Sequence, residues 1–328
     1  MYNVYVTRKL PGRGLEQLRS ACAVTVFPED RNMTKDELLE VIPQQDAVIT
    51  MLDNPVDAEV IAAGVNLKAI ANYAVGFNNI DVAAATARGI AVINTPDVLT
   101  NATADFAWAL LLAAARRVVE GDALVRRGEF KGWAPELLIG VEIYGKTLGI
   151  IGAGRIGPAM ARRALGFGMR VLYHNRKRLP EAVEKELNLT YASLGDLLKE
   201  ADFISLHCPL TPDTRHLIGA AELELMKPTA VLVNTARGPV IDEAALVRAL
   251  REQRIFGAGL DVFEEEPALH PGLAELPNVV LAPHIGSAAR ETRLRMVDMV
   301  VSDVLAVLQG QRPRNLVNPE ILEREGSR

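Results

Sequence analysis

The amino-acid sequence predicts an α/β fold of two domains, each a doubly wound parallel sheet with helices on both faces. Strand-length apolar runs alternate with helical patterns along most of the chain, which is typical of parallel sheets. A glycine-rich turn also joins such a strand to a helix at Leu148–Gly157. Finally, 328 residues with 49% hydrophobic and 23% charged side chains suffice for two buried cores.

The first hundred residues form the smaller predicted domain. Its expected strands are Val4–Thr7, Val24–Phe27, Ala47–Thr50, Leu67–Ala71 and Ile90–Asn94. Helical patterns lie between them, near Gly14–Ser20, Lys35–Val41, Asp57–Ala63 and Asp81–Arg88. Thr34 and Glu37 have the spacing of a capping box, which supports the second helix.

A long helical segment is predicted from Thr100 to Phe130. Its first half, Ala104–Ala115, is apolar nearly all the way round and is interrupted only by Asp105. Because a surface helix shows a single apolar stripe, this pattern predicts burial on several sides. The burial could be between the domains, against a second copy of the chain, or both, and we favour both.

A second alternating set surrounds and follows the glycine-rich turn. Its expected strands are Arg170–His174, Phe203–His207, Ala230–Asn234, Gly257–Val262 and Val279–Ala282, and its helices are Pro158–Leu165, Ser193–Glu200, Ala220–Met226, Asp242–Glu252 and Glu291–Gln309. The last helix is expected to return to the first domain. This predicts a discontinuous substrate domain, residues 1–99 and 286–328, around a dinucleotide-binding domain, residues 100–285. The polar tail is expected to lack order at its end.

Charge and cysteine content exclude several classes of function. A net charge of −5 gives no general attraction for nucleic acid or anionic membranes. The two cysteines, Cys22 and Cys208, offer neither a disulfide framework nor a metal-ligand spacing and suit a reducing compartment. The strand-like start predicts no signal peptide, and the most apolar stretch is too short to span a bilayer. We therefore expect a cytoplasmic protein with no metal, nucleic-acid or membrane partner.

The glycines of the central turn, Gly152, Gly154 and Gly157, predict a dinucleotide site. The first permits a tight turn, the second lets backbone amides approach a pyrophosphate, and the third lets the helix pack closely on the strand. The helix N-terminus adds free N–H groups and a partial positive charge. The alternative is a glycine-rich turn in some other α/β protein.

The end of the next strand indicates which dinucleotide. A site for NAD usually carries Asp or Glu there, to bind the ribose hydroxyls. The segment His174–Arg178 has no carboxylate and instead contains Asn175, Arg176 and Lys177. Because a basic cluster attracts a 2′-phosphate, we prefer NADPH as cofactor, with NADH tolerated. A solvated basic loop without a ligand is the alternative.

Three ionisable residues follow three later strands. Arg237, Glu266 and His284 each come shortly after an expected strand, where open parallel sheets bind their ligands. Each has a structural alternative: a capping or ion-paired arginine, one glutamate of a solvated acidic run, and a core histidine. Their joint occurrence beside a dinucleotide site favours catalysis.

These segments resemble the D-isomer-specific 2-hydroxyacid dehydrogenases over essentially the whole chain. The resemblance is carried by Gly152–Gly157, His207–Thr211, Asn234–Gly238, Asp261–Pro267 and Pro283–Ser287. It is strongest for glyoxylate/hydroxypyruvate reductases, because of Asn72–Asp81, Trp133–Pro135 and the Asn175–Arg176 pair. It implies a Rossmann coenzyme domain and a smaller flavodoxin-like substrate domain.

The resemblance also implies catalytic roles. His284 would protonate the carbonyl oxygen during reduction and act as base in the reverse direction. Glu266 would orient the imidazole and favour its protonated form, with Glu265 as the alternative glutamate. Arg237 would bind the substrate carboxylate and polarise the carbonyl.

The remaining site residues follow from the same resemblance. Arg155 and Ile156 would lie near the pyrophosphate. Other residues expected to bind the cofactor are Thr103, Cys208, Pro209, Thr235, Ala236, Asp261 and Ser287. Backbone amides at Val75 and Gly76 would bind the substrate carboxylate, and Leu52 would pack beside the substrate. Trp133 would enter the site of a second subunit in a homodimer, with ordinary interface or core packing as the alternative.

The chain departs from some relatives in ways that bear on substrate. Phosphite dehydrogenases carry a lysine where this chain has Val75, so phosphite oxidation is not expected. Segments Thr50–Val56 and Asn72–Asn79 contain no Lys or Arg to meet a substrate phosphate. A small unphosphorylated 2-oxo acid, glyoxylate or hydroxypyruvate, fits best. Bulkier oxo acids of the D-lactate or phenylpyruvate type, and a non-enzymatic NAD(H)-sensing protein on the same fold, remain alternatives.

Overall fold

A computed structural model describes residues 1–325, which fall into two compact units. The split unit comprises Met1–Leu99 and the chain from Ala288 onward, and the central unit comprises Thr100–Ser287. The predicted lack of order at the extreme C-terminus falls on residues 326–328, outside the described part of the chain. None of the described helices is long and apolar enough to cross a membrane.

The split unit begins with five strands that alternate with four helices. The strands are β1 (Tyr2–Val6), β2 (Cys22–Val26), β3 (Ala47–Thr50), β4 (Ala69–Asn72) and β5 (Ala91–Ile93), and the helices are α1 (Gly14–Ala21), α2 (Lys35–Val41), α3 (Ala58–Ala63) and α4 (Val82–Ala87). The capping box is confirmed, because the Glu37 N–H donates to the Thr34 hydroxyl and the Thr34 N–H donates to the Glu37 carboxylate.

All five strands are parallel, in the order β2-β1-β3-β4-β5. Val4 of β1 pairs with Val24 on one side and Ala47 on the other. The winding therefore reverses beside β1, and the loops after β1 and β3 leave the sheet at a topological switch point. This is the flavodoxin-like order that the sequence predicts.

The central unit contains a seven-stranded parallel sheet. Its elements are α5 (Thr100–Ala115), α6 (Val118–Arg126), β6 (Thr147–Ile151), α7 (Ile156–Ala164), β7 (Arg170–His174), α8 (Glu181–Leu187), β8 (Leu189–Tyr191), α9 (Leu194–Glu200), β9 (Phe203–Leu206), α10 (Ala220–Leu225), β10 (Val231–Asn234), α11 (Glu243–Arg251), β11 (Gly257–Leu260) and β12 (Val279–Leu281). The order β12-β11-β10-β9-β6-β7-β8 places the switch point between β6 and β9. The predicted class, two doubly wound parallel-sheet domains, is confirmed.

The long helical segment predicted from Thr100 to Phe130 is wrong as a single helix. The helix ends at Ala115, and Arg117, just before α6, adopts the left-handed conformation with φ of +53°. The carbonyl of Ala115 there accepts the Val141 N–H at 2.9 Å, and the Arg117 guanidinium binds Glu120. Apolar patterning could not locate this break, because it depends on a contact to a residue far along the chain.

Helix α5 is buried on several faces, as its pattern predicts. Within the central unit it packs on α7, β10 and β11. A Cβ on Gly259 of β11 would lie 2.9 Å from Leu110 Cβ, so the glycine permits the close approach of helix and sheet. The indole of Trp108 donates to the Met160 carbonyl at 3.1 Å.

Two short elements, α8 and β8, were not expected from the sequence. They span seven and three residues, with Asn188 in the left-handed conformation between them. Elements of this length bury too few side chains to give a recognisable hydrophobic periodicity in the sequence.

The chain re-enters the split unit through α12 (Arg290–Leu308), and the last helix of its described part is α13 (Glu320–Glu325). Helix α12 packs on α1, β3, β4 and β5. A Cβ on Gly14 would lie 2.3 Å from Val297 Cγ1, so only glycine allows this spacing of α1 and α12. Buried Asn318 then accepts the Val92 N–H and donates to the Ile90 carbonyl, which fastens the C-terminal segment to β5.

Candidate active site

One row of paired residues crosses the carboxyl edge of the central sheet. Ile151 pairs with Leu206, Leu206 with Asn234, and Asn234 with Leu260. The next residue of each strand therefore emerges at the same edge, since the strands are parallel. This register gathers the glycine turn and the loops that carry Arg237, Glu266 and His284 along one side of the central unit.

The glycine turn has the geometry that a dinucleotide fingerprint requires. Gly152 has φ of +95°, and a Cβ there would lie 2.4 Å from the Cys208 nitrogen. A Cβ on Gly157 would lie 2.7 Å from the Gly152 carbonyl oxygen, which shows how closely α7 approaches β6. A Cβ on Gly154 would meet no heavy atom within 4 Å. The open space over Gly154 and the N-terminus of α7, with Arg155 and Ile156 in its first turn, fit a pyrophosphate.

The basic residues of the loop after β7 differ in whether they form an ion pair within the protein. Arg178 donates twice to Glu184, at 2.8 Å each, and buried Tyr173 also donates to this carboxylate. The hydrogen bonds from Arg178 and Tyr173 lower the pKa of Glu184 to about 2. Arg176 and Lys177 are exposed, and neither has an ion pair among the described residues. Asn175 donates its side-chain N–H to the Lys177 carbonyl at 3.0 Å, which closes the loop.

The segment after β9 supports the glycine turn through its backbone. The His207 N–H donates to the Ile151 carbonyl at 2.7 Å, and Cys208 lies against Gly152. Burial lowers the pKa of His207 to about 4 and raises the pKa of the Cys208 thiol to about 11. Cys208 is thus a neutral thiol and not a nucleophile, while Pro209 beside it is exposed.

Asn234 shapes the loop that presents Arg237. Its side-chain oxygen accepts the Ala236 N–H and its side-chain nitrogen donates to the Arg237 carbonyl, both at 2.9 Å. Asn234 is fully buried, so both bonds are shielded from water. Thr235 and Ala236 lie within the loop that these two bonds define. The sequence motif included Asn234, but no role was assigned to its amide.

Asp261 holds the turn that carries His284. Its two carboxylate oxygens accept the N–H groups of Ile285 and Gly286, each at 2.7 Å. His284 donates its own N–H to the Asp261 carbonyl at 2.9 Å and adopts φ of +54°. Burial raises the pKa of Asp261 to about 6, although the two N–H donors act in the opposite direction. The carboxylate expected near the cofactor is therefore engaged by the protein backbone.

His284 and Glu266 form a hydrogen-bonded pair. Nδ1 of His284 lies 2.8 Å from one oxygen of Glu266, and the other oxygen accepts the Phe263 N–H at 2.9 Å. Burial raises the pKa of Glu266, but the bond from His284, its charge and that of Arg237 outweigh burial and lower the pKa overall. Nε2 of His284 has no hydrogen-bond partner among the described residues, and the imidazole is half-buried. An ionised carboxylate on Nδ1 with Nε2 available suits transfer of a proton to a ligand.

The other residues of the central unit that the sequence predicts for the site differ in solvent exposure. Thr103 is buried near Gly286, since a Cβ on Gly286 would lie 3.5 Å from Thr103 Cγ2. Ser287 is half-buried, and Trp133 is 86% exposed. Trp133 therefore has no core packing within the described chain, while ordinary interface packing stays open as the alternative to the site of a second subunit.

In the split unit, the side chains of two asparagines, buried Asn72 and half-buried Asn94, shape the loop Ala74–Gly76. The carbonyls of Val75 and Gly76 accept the side-chain N–H groups of Asn94 and Asn72, at 2.8 and 2.7 Å. The carbonyl of Ala74 accepts the Thr95 N–H at 2.9 Å. In contrast, the N–H groups of Val75 and Gly76 have no hydrogen-bond acceptor among the residues described. Two adjacent free amides of this kind suit an anion such as a carboxylate.

A second buried asparagine forms the neighbouring turn around Leu52. The Asn54 side-chain oxygen accepts the Met51 N–H at 2.8 Å and the Thr7 hydroxyl at 2.6 Å. Asn79 donates to the Met51 and Asn54 carbonyls. Leu52 is left half-buried at the tip of this turn. Neither asparagine was predicted as a site residue, and only Asn54, shortly after β3, carried a usable signal in the sequence.

Comparison with known proteins places the chain in a family. The model for the D-isomer specific 2-hydroxyacid dehydrogenase NAD-binding domain matches residues 108–286. A protein named glyoxylate reductase from Thermococcus gammatolerans is 53% identical over 324 residues, which are 98% of this chain and 97% of that protein. The chain belongs to the D-isomer-specific 2-hydroxyacid dehydrogenase family.

Solved structures agree with this membership. A Thermus thermophilus protein superposes with a TM-score of 0.90 and 51% identity, over 96% of this chain and 99% of that chain. An NADPH-dependent glyoxylate/hydroxypyruvate reductase from Sinorhizobium meliloti, solved with NADP and malonate, has a TM-score of 0.85 and 34% identity, over 96% of each chain. As a member of this dehydrogenase family, the chain is an oxidoreductase that uses a nicotinamide cofactor.

The open space over Gly154 allows a test of where the dinucleotide binds. Because a methyl group there meets no protein atom, Gly154→Ala should leave the Tm within about 2 °C of wild type. It should weaken binding of the reduced dinucleotide by roughly tenfold or more, since a pyrophosphate needs the same space. Differential scanning fluorimetry and fluorescence titration measure the two effects. Unchanged dinucleotide affinity in the folded variant would place the pyrophosphate elsewhere.

Proposed function

We propose that this dehydrogenase reduces a small 2-oxo acid, glyoxylate or hydroxypyruvate, to the D-2-hydroxy acid, and that it prefers NADPH over NADH. The observation that carries the proposal is the Glu266–His284 pair, with Nε2 of His284 available at the same sheet edge as the glycine turn. The names of the relatives, including an NADPH-dependent glyoxylate/hydroxypyruvate reductase, support the choice of substrate and cofactor.

The reaction needs a proton and a hydride at the substrate carbonyl. When bound, the nicotinamide supplies the hydride to the carbonyl carbon. His284 donates its Nε2 proton to the carbonyl oxygen, and Glu266 stabilises the imidazolium before the transfer. In the reverse direction His284 takes the proton from the hydroxyl group. The guanidinium of Arg237 binds the substrate carboxylate and draws electron density from the carbonyl.

The split unit contributes to substrate choice in this proposal. The amides of Val75 and Gly76 bind the substrate carboxylate, and Leu52 limits the size of the side chain at the 2-oxo carbon. Leu52 and Val75 carry no charge, which favours unphosphorylated acids. Asn94 and Asn72 fix this loop through its carbonyls, and the N–H groups of Val75 and Gly76 have no acceptor among the described residues, which supports this role.

We also propose that the enzyme is a homodimer, with Trp133 at the site of the second subunit. The segment from α6 onward supports this: Val118 is 55%, Val125 60%, Trp133 86% and Ile139 59% exposed. Exposed apolar residues in one segment are typical of interaction surfaces. Sedimentation equilibrium that gives a monomer mass at micromolar concentration would contradict the dimer.

The two free cysteines support the cytoplasmic location expected from the sequence.

A spectrophotometric panel tests the substrate and cofactor together. We expect the highest kcat/KM for glyoxylate or hydroxypyruvate with NADPH, and lower values for pyruvate and phenylpyruvate. A preference for phenylpyruvate would favour the class of bulkier oxo acids. Binding of the dinucleotide without reduction of any oxo acid would instead indicate a sensing protein.

Replacement of His284 tests the proton donor. His284→Ala should lower kcat by about 10²–10⁴-fold while the Kd of NADPH changes less than about threefold, because the imidazole acts in chemistry and not in cofactor binding. Stopped-flow turnover and fluorescence titration give the two quantities. His270→Ala is the control, at a histidine whose ring hydrogen-bonds the Pro271 carbonyl and no catalytic residue within the described part of the chain. An equal loss of turnover and affinity would contradict the assigned role.

Replacement of Arg176 tests the 2′-phosphate contact. Arg176→Ala should raise the KM of NADPH about 10-fold or more, which corresponds to the loss of a charge-assisted hydrogen bond, and should leave the KM of NADH within twofold. Arg162→Ala is the control, since Arg162 is an exposed arginine of the same unit that pairs with Glu186. A variant with the wild-type ratio of the two KM values would rule out Arg176 as the discriminating residue.

A further inference from the structure

The three consecutive glutamates, Glu264, Glu265 and Glu266, have different surroundings. Glu266 binds His284, as described above. The side chain of Glu265 is exposed and has no partner among the described residues. The side chain of Glu264 is half-buried, and its carboxylate accepts the Glu243 N–H and lies beside His216 and Arg215. Among the described residues, no hydrogen bond or ion pair joins it to His284. The run therefore contains a glutamate with a well-defined environment and no assigned role.

Glu264 and Glu243 form a reciprocal clasp between backbone and side chains. The Glu264 N–H donates to the Glu243 carboxylate at 2.8 Å, and the Glu243 N–H donates to the Glu264 carboxylate at 3.1 Å. Nε2 of His216 lies 2.6 Å from the second oxygen of Glu264, and Arg215 approaches the same oxygen at 3.9 Å. Glu243, the first residue of α11, is 3% exposed.

The clasp sits between the loops of two catalytic residues. Arg237 is followed by a single 3₁₀ turn, Gly238–Val240, and then by α11 with Glu243 at its start. A Cβ on Gly238 would lie 1.8 Å from the carbonyl carbon of Phe263, so only glycine allows this contact. The clasp and this contact together fix segment 263–266 against the segment that follows Arg237.

A short path connects the clasp to the catalytic pair. The Phe263 N–H orients Glu266 through one carboxylate oxygen, and Phe263 is joined directly to Glu264. Fixing the Glu264 peptide therefore limits the movement of the donor that orients Glu266. The other oxygen of Glu266 then contacts Nδ1 of His284. A displacement of Glu264 would therefore reach His284 through the Glu266 carboxylate, which accepts the Phe263 N–H and hydrogen-bonds the His284 imidazole.

We propose that Glu264 and Glu243 are positioning residues for reduction, which hold Glu266 in place for His284. This inference rests on the proposed role of the Glu266–His284 pair. The burial of Glu243 raises the pKa of its carboxyl group. An apolar side chain at this position would leave the Glu264 N–H without its acceptor, so segment 263–266 would lose one of the hydrogen bonds that hold it.

Kinetics of matched variants test the proposal. Glu264→Ala should lower kcat about tenfold and leave the Kd of NADPH within twofold, because the clasp follows β10 and β11 whereas the glycine turn follows β6. Glu264→Gln, which keeps an acceptor for the Glu243 N–H, should recover most of kcat. Glu265→Ala, the control in the same run, should match wild type. Equal kcat values for Glu264→Ala and Glu265→Ala would overturn the proposal, and so would parallel losses of kcat and cofactor affinity.

A double-mutant cycle separates positioning from general destabilisation. If Glu264 acts through Glu266, then Glu264→Ala should lower kcat by less than about twofold in a Glu266→Gln background. A full tenfold loss in that background would show that Glu264 does not act through Glu266. If Glu264→Ala does not fold, Glu264→Asp keeps the charge, shortens the reach to Glu243 and takes its place in the cycle.

A measurement without turnover keeps the inference separate from the proposed function. In ¹⁵N-edited NMR spectra, the Nδ1–H signal of His284 should be sharp in wild type and in Glu265→Ala, because Glu266 protects it. It should broaden or disappear in Glu264→Ala. An unaltered signal in Glu264→Ala would overturn the positioning role even if wild type reduces none of the oxo acids. Failure of the oxo-acid panel with an altered signal would reject only the proposed substrate.

Discussion

Parallel pairing is the constraint on which the candidate active site depends. Ile151, Leu206, Asn234 and Leu260 are aligned across four neighbouring strands, so the chain leaves each strand at the same edge. The switch point between β6 and β9 opens this edge at the glycine turn. The glycine turn and the loops of the ionisable residues are thus brought together by sheet register, before any contact between their side chains.

Buried polar side chains then give these loops their shapes. Asn234 binds both ends of the turn before Arg237, Asp261 binds two N–H groups after His284, and Asn72 binds the carbonyl of Gly76. Each lies at or just beyond the end of a strand and is almost completely shielded from water. An unsatisfied group in such a place costs about 1–3 kcal/mol, so these bonds select one loop conformation. Both units use this arrangement.

Hydrogen-bond and ion-pair partners also distinguish residues that the sequence presents as equivalent. Arg178 and Arg176 belong to one basic cluster, but Arg178 is bound to Glu184, whereas Arg176 is exposed and has no ion pair among the described residues. Asp261 was expected near the cofactor, yet its carboxylate holds the turn of His284. Cys208 contributes its backbone to the support of Gly152, while its thiol stays protonated. Charge and residue type alone do not separate these cases.

The sequence by itself determined the fold class, the βα alternation and the glycine turn, because these depend on local periodicity and on residues close together in the chain. It also drew attention to Arg237, Glu266 and His284, which follow strands. Only the tertiary structure decided between Glu266 and its alternative Glu265 as the partner of His284, where the helix breaks at Arg117, and how Glu243 binds Glu264. These outcomes depend on hydrogen bonds between residues some twenty positions apart, for which a single sequence carries no periodic signal.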